Sequence, residues 1–335
     1  MTALATLAPD TLAFRLLNEW QRGFPLLPQP YLALARTLDT DEATILATLR
    51  ELQAQGAISR TGAVFAPNAI GVSTLAALAV PTDRLAQVAQ AVSARPEVNH
   101  NYEREHQYNL WFVAQAADAD RLSALLDDIE QECACGPLLS LPMLEDFHID
   151  LGFDLRAGTS AQVRPLRALA KPAAPRSANE EALIAALQHG LPYVSRPFAG
   201  LGVPEHEALA TLDRWLAQGV VRRFGIVVRH HELGYTANAM AVWDIPDDEV
   251  GAAGGRIAAT GEVNLCYQRA RQLPHWRYNL FCMVHGKDRA AVEARIALIS
   301  ERCGLADTPH DVLFSCRRFK QRGAHYLPAR EVAHG

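Results

Sequence analysis

Arginine and histidine stand close together at three places in this chain. Arg229, His230 and His231 are consecutive. Arg104 and His106 lie between Tyr102 and Tyr108, and Arg269, Arg271 and His275 lie between Tyr267 and Tyr278. A guanidinium grips a carboxylate through a planar two-point fork, and an imidazole gives or takes a proton near neutral pH. Together these side chains suit an acidic substrate undergoing proton-coupled chemistry. The plainer alternative is a loop histidine with no role, or, for the adjacent pair, one ring in solvent and one packed inside.

The last two clusters are copies of one another. Glu97, Val98 and Asn99 before the first recur as Glu262, Val263 and Asn264 before the second. Tyr108, Asn109 and Leu110 recur as Tyr278, Asn279 and Leu280. Further upstream, Gly56, Gly62 and Gly71 match Gly219, Gly225 and Gly234. A repeat of this length is a domain duplication rather than a solenoid unit. The halves differ where it matters: Ala66, Pro67 and Asn68 occupy the positions of Arg229, His230 and His231.

The elements that must position these residues follow from periodicity and punctuation. Residues 11–20, 31–38 and 42–55 have helical spacing, with Asp41 as an N-cap and Gly56 as a stop. Residues 58–65 read as a short hairpin, which completes a winged helix-turn-helix outline. Residues 181–188, 197–200, 204–218 and 220–229 repeat it. Next come a strand (74–80), a helix (83–94), two strands (98–104, 110–116), a helix (118–132) and a strand from 138. Segments 237–244, 248–260, 263–271, 279–285, 288–303 and 311–319 follow the same order, with Gly251, Gly254 and Gly255 weakening the first helix. The order βαββαβ predicts a ferredoxin-like sandwich. The expected fold class is therefore α+β, a duplicated winged helix-turn-helix plus ferredoxin-like domain. The expected domains are 1–72, 73–155, 181–235 and 236–335, with an Ala/Pro/Arg/Ser-rich linker at 156–180.

Composition narrows the function. The net charge of −5 gives no global pull toward nucleic acid or an anionic membrane. No apolar run approaches the roughly 20 residues of a membrane helix, and the N-terminus shows no export pattern, so a cytoplasmic protein is expected. Six cysteines in 335 residues are not a disulfide framework, and Cys133 and Cys135 lack a second pair at zinc spacing. There is no metalloprotease helix motif, nucleophile elbow or dinucleotide fingerprint. His100 is replaced by Leu265 in the other half, which favours packing, and Gly286 with Lys287 is poor evidence for a phosphate turn. The layout is that of Lrp/AsnC regulators, yet 41–55 and 205–218 each carry three acidic residues against one arginine. Such helices repel a phosphate backbone.

Both halves also resemble siroheme decarboxylases. In the second half the likeness runs through Phe224, Gly225, Arg229, His230, Gly234, Tyr235, Asn238, Met240, Trp243, Asp244 and Pro246. It continues through Cys266, Tyr267, Arg269, Pro274, Trp276, Tyr278, Asn279, Leu280, Met283, His285 and Gly286. In the first half Asn99, His100, Asn101, Tyr102, Arg104, Glu105, His106, Tyr108, Asn109, Leu110, Trp111 and Phe112 are similar to the partner subunit's motif. The match is to the fused form of the heme d1 branch. It implies an Lrp/AsnC-like fold whose helix-turn-helix no longer serves DNA. The implied reaction removes the carboxyl groups of the C12 and C18 acetates of siroheme, giving didecarboxysiroheme and carbon dioxide. No added cofactor is expected, because the siroheme iron belongs to the substrate.

On this resemblance Arg229, Arg269, Arg271 and Arg104 are expected to bind carboxylates, with Tyr267, Trp276, Tyr278 and Asn279 beside them. His230 and His231 are expected proton donors or orienters. His106 and His275 are either further acids or an axial ligand of the siroheme iron. The halves are expected to form an internal pseudo-dimer, with no nucleic acid or membrane partner. Further pairing to a homodimer, and whether one or two pockets act, are left open by the sequence. The competing readings are a ligand-responsive DNA-binding regulator and a heme-binding sensor without catalysis.

Overall fold

The computed structural model describes residues 8–149, 152–155, 159–160, 176–229 and 235–323. The first half runs α1 (Leu12–Glu19), α2 (Pro30–Thr37), α3 (Glu42–Ala54), β1 (Ile58–Phe65), β2 (Val72–Leu78), α4 (Leu85–Ala94), β3 (Val98–Arg104), β4 (Leu110–Ala116), α5 (Ala119–Cys133) and β5 (Leu139–Ile149). Two short paired strands follow, β6 (Phe153–Asp154) and β7 (Thr159–Ser160). The second half runs α6 (Ala178–Leu187), a 3-10 turn at Pro197–Gly200, α7 (Glu205–Gln218), β8 (Val221–Val228), β9 (Ala237–Trp243), α8 (Val250–Ala259), β10 (Leu265–Arg269), β11 (Leu280–Gly286), α9 (Arg289–Arg302) and β12 (His310–Gln321). The described residues form two compact units, and these collect the halves' equivalent parts rather than following the chain.

The helical unit holds α1 to α3 and β1 together with α6, α7 and β8. Local chemistry sets its helix ends. Asp41 caps α3 by accepting the Thr44 N–H at 2.8 Å, Ser177 and Glu180 form a reciprocal capping box on α6, and Gly219 closes α7 at φ 76°. The expected hairpins are not hairpins. Residues 58–65 are one strand, and they pair antiparallel with β8, so that Gly62 faces Gly225. Gly225 serves close backbone approach instead of a turn. A Cβ on Gly225 would sit 2.4 Å from the Gln21 carbonyl oxygen. Phe24, Tyr31, Tyr193, Phe198 and Phe224 form an aromatic core across the two copies.

In the other unit the βαββαβ order appears twice, as β2-α4-β3-β4-α5-β5 and β9-α8-β10-β11-α9-β12. The strands close into one barrel, β10-β11-β9-β12-β3-β4-β2-β5, with β5 returning to β10. Each half's last strand pairs first within its own half, β5 with β2 and β12 with β9, and then continues antiparallel along the other half, β5 with β10 and β12 with β3. Alternation along the strands then sorts side chains. Ala76 and Leu78 pack under helices with Val88 and Ile129, whereas Leu75 and Ala77 face inward with Met240, Tyr267, Phe281 and Leu313.

The glycine-rich α8 is a regular helix, and one of its glycines has a packing reason. A Cβ on Gly254 would lie 2.1 Å from the Phe147 ring, while Gly251 and Gly255 have nothing within 4 Å. Phe147 belongs to the first half's last strand and Gly254 to the second half. The contact thus lies along the part of β5 that runs beside β10 and closes the barrel. No described helix is long and apolar enough to cross a membrane.

Candidate functional site

The inward face of the barrel carries polar groups at the C-terminal ends of β3 and β10. These strands stand opposite one another, four places apart in the closed order. Arg104 and Arg269 end them, and each residue is only 7% exposed. Arg104 Nη1 donates to the Leu313 carbonyl at 3.0 Å and Arg269 Nη1 to the Leu141 carbonyl at 2.6 Å. Those carbonyls lie on β12 and β5, just before each strand passes from its own half's sheet to the other half's. Arg269 also stacks over the Tyr267 ring at 4.6 Å, and Arg104 lies 5.8 Å from the Tyr102 ring centre. Among the described residues neither has a carboxylate partner. Burial pulls both guanidinium groups below the ordinary arginine range, with nearby phenols opposing it.

His106 lies in the β3–β4 connection, which is tied to β12 by the Glu105 N–H donating to the Phe314 carbonyl at 2.9 Å. Its Nδ1 accepts the Tyr108 N–H at 3.0 Å and its Nε2 stands 3.5 Å from Asp311 Oδ2. The ring stacks on Tyr108 and meets Trp276 edge-on at 5.4 Å. Trp276 is the hub of an aromatic cluster with Tyr108, Trp111, Tyr278 and Phe281. Gln272 fixes the loop that carries it, accepting the Ser140 N–H and donating to the Leu138 carbonyl. Burial holds His106 below its usual value against the pull of Asp311. Burial, and for Tyr278 also Asp311, raises the Tyr108 and Tyr278 phenols.

Of the residues singled out in the sequence, Arg104, Arg269, Tyr267, His106, Trp276 and Tyr278 are gathered here. Arg271 and Asn279 are engaged elsewhere. Arg271 pairs with Asp244 at 2.9 Å and with Asp247, and it donates to the Ile245 and Arg277 carbonyls. Its fork is filled by the protein's own acceptors. Asn279 is a backbone clasp: Oδ1 accepts the Ile245 N–H and Nδ2 donates to the Ile245 carbonyl, both at 3.0 Å. Asn109 holds Val80 in the same way at 2.9 and 2.8 Å. The Tyr-Asn-Leu repeat therefore encodes a strand-end clasp.

His275 is exposed, on a turn that contains the cis Leu273–Pro274 bond. Arg229 follows β8 in the helical unit, half-buried, its N–H donating to the Ala57 carbonyl. His230 and His231 lie outside the described residues. Asp311 was missed by the sequence reading. Its signal lies in the repeat, where Leu139 occupies the matching place.

The fold defines two α+β units, a duplicated βαββαβ barrel and a helical unit made of two like copies. A family model of the AsnC-like ligand binding domain matches residues 69–148 and 232–320. A model of the siroheme decarboxylase NirDL-like HTH domain matches 14–58 and 180–222. The siroheme decarboxylase NirDL subunit of Paracoccus pantotrophus is 44% identical over 329 residues, 94% of this chain and 97% of the relative. A crystal structure of the siroheme decarboxylase NirDL has TM-score 0.69 at 28% identity, with 94% of each chain covered. One in co-complex with an iron-uroporphyrin III analogue has TM-score 0.67 at 28% identity, covering 94% of this chain and 93% of that one. The chain belongs to the siroheme decarboxylase family.

Proposed function

We propose that the protein is a siroheme decarboxylase of heme d1 biosynthesis, a carboxy-lyase. It removes the carboxyl groups of the C12 and C18 acetates of siroheme and yields 12,18-didecarboxysiroheme. Beyond family membership, one observation carries this reading. The barrel interior holds two guanidinium groups, with no carboxylate partner among the described residues, beside an imidazole and an aromatic cluster. A buried cation without a counter-charge is costly. A polyacidic aromatic macrocycle supplies both the missing charge and a surface for the rings.

Loss of carbon dioxide from an acetate arm leaves an electron pair on the exocyclic carbon, and the macrocycle delocalises it. One proton then converts that carbon to a methyl group. The protein has to hold the remaining carboxylates, keep water from the scissile one and deliver the proton. Arg104 and Arg269 are assigned to charge complementarity and His106 to the proton, with Tyr267, Trp276 and Tyr278 as the wall. Arg229, His230, His231 and His275 stay as proposed contributors on sequence grounds. Positioned acid–base help is worth about 10² to 10⁴-fold.

The helical unit is read as two helix-turn-helix modules whose expected wings are replaced by the β1–β8 pair, and the barrel as two ferredoxin-like domains, with the limits 1–72, 73–155, 181–235 and 236–335, a cytoplasmic location and no added cofactor. An internal pseudo-dimer is supported by the β5–β10 and β12–β3 pairs, and pairing into a homodimer is left to measurement. A nucleic-acid partner is disfavoured because the arginines of α3 and α7 are engaged. Arg50 donates to the Tyr193 carbonyl at 2.5 Å and Arg214 pairs with Glu180 at 2.8 Å. The test is anaerobic incubation with siroheme followed by mass spectrometry. Loss of two carboxyl groups is expected. Siroheme bound but unchanged would leave the sensor reading standing instead.

A further inference from the structure

One ring nitrogen of His106 is hydrogen-bonded and the other stands near a carboxylate. Nδ1 accepts the Tyr108 N–H, so the neutral ring carries its proton on Nε2, the nitrogen that faces Asp311. The carboxylate is itself aimed: its Oδ1 accepts the Val312 N–H at 2.9 Å, which turns Oδ2 toward the ring. The Asp311 side chain is 42% exposed and that of His106 16%, so the pair sits where the interior meets solvent. Among the described residues Asp311 has no other ion pair.

The duplication shows that this pair is not a packing default. Arg104 donates to Leu313 and Arg269 to Leu141, which makes the two leucines equivalent. Two residues before them stand Asp311 and Leu139. Two residues before Tyr108 and Tyr278 stand His106 and Trp276. The couple His106–Asp311 therefore corresponds to Trp276–Leu139, and both of those are buried in the apolar interior. Only one of the two related corners carries an imidazole and a carboxylate, one from each half. A carboxylate placed there repels an acidic substrate unless it acts through the ring.

We propose that Asp311 is a positioning residue for His106: from 3.5 Å it orients the ring electrostatically with Nε2–H at the edge of the interior, without a short hydrogen bond, so that this proton stays available to the substrate. The first half's imidazole is then effective only with the second half's carboxylate in place. This rests on the decarboxylase reading and on His106 as its acid. The full chain is assayed anaerobically with siroheme, with product followed by mass spectrometry, after thermal unfolding has shown each variant to be folded. Asp311→Asn and Asp311→Ala should lower kcat roughly ten- to a hundredfold without raising KM, and Asp311→Glu should recover part of the loss. In a His106→Ala background, Asp311→Asn should add nothing further. Wild-type kcat in Asp311→Asn alongside an impaired His106→Ala overturns the inference and spares the assignment of His106. So does an Asp311→Asn effect that multiplies independently with His106→Ala, or one confined to KM. Undiminished turnover in His106→Ala strikes the assignment of the acid itself, and the inference with it.

Discussion

Arg104 and Arg269 are each other's counterparts across the barrel, and each fastens the strand that the opposite half contributes. The Leu313 carbonyl receives one and the Leu141 carbonyl the other. One guanidinium N–H is used this way on each side, and the charge that remains has no protein carboxylate to meet it among the described residues. The two groups therefore act in closing the barrel and in giving its interior a positive potential.

This double role separates in a substitution. Arg269→Met leaves the Leu141 carbonyl without its donor, which costs about 1–3 kcal/mol, but it also removes a buried charge. The net loss of stability without ligand should be small, under about 2 kcal/mol. The stabilisation that siroheme confers should shrink, because the substrate loses its counter-charge. Thermal unfolding with and without siroheme checks both; an unchanged ligand-induced shift would contradict the electrostatic role.

Gly254 and Gly255 are neighbours in α8 with opposite expectations. Gly255→Ala meets nothing and should stabilise by about 1 kcal/mol through helix propensity. Gly254→Ala gains the same propensity but forces the Phe147 ring to move. Overpacking of about 1–3 kcal/mol should outweigh it. Denaturant midpoints of the two variants measure the difference, and equal midpoints would show that Phe147 yields freely.

Asn279→Ala removes two hydrogen bonds to Ile245 and leaves a buried N–H and carbonyl to find other partners. A loss of roughly 2–4 kcal/mol is expected. Asn109→Ala should behave alike, since it removes the same clasp on Val80. If Asn279→Ala instead kept full stability and lost siroheme affinity, the residue would be a substrate contact after all.

His106 gives the native state a pH dependence of known sign. Burial holds its folded value below the ordinary 6.5, against the Asp311 carboxylate. The unfolded chain takes up this proton first on acidification. Stability contributed by the neutral ring is thus present above 6.5 and lost as pH falls toward the folded value. Asp311→Asn lowers the folded value further and should widen the interval of loss. Comparing unfolding midpoints at about pH 5 and about pH 8 for wild type, Asp311→Asn and His106→Gln checks it; His106→Gln should show the flattest response.

Much of the fold was legible because periodicity and caps are local. Asp41 and the βαββαβ order announced their elements directly. The error at residues 58–65 came from a partner 163 positions away: Gly62 pairs with Gly225, and nothing local to residues 58–65 separates a turn glycine from one inside a strand. The site was half legible. Arg104, Arg269 and His106 stood out by type, but Arg271 and Asn279 share that type and are drawn off by Asp244, Asp247 and Ile245, acceptors brought near only by folding. Asp311 was concealed by its ordinariness on a strand and visible only against Leu139.

β5 and β12 each complete their own half's sheet and then run on beside the other's, so a half folded alone would present β3 or β10 with a bare edge. The barrel can tolerate the drift of one corner to tryptophan and leucine, because that corner still serves as scaffold for its twin. Cutting the chain between the halves should turn folding from a first-order event into an encounter, with yield rising as the two pieces are made more concentrated.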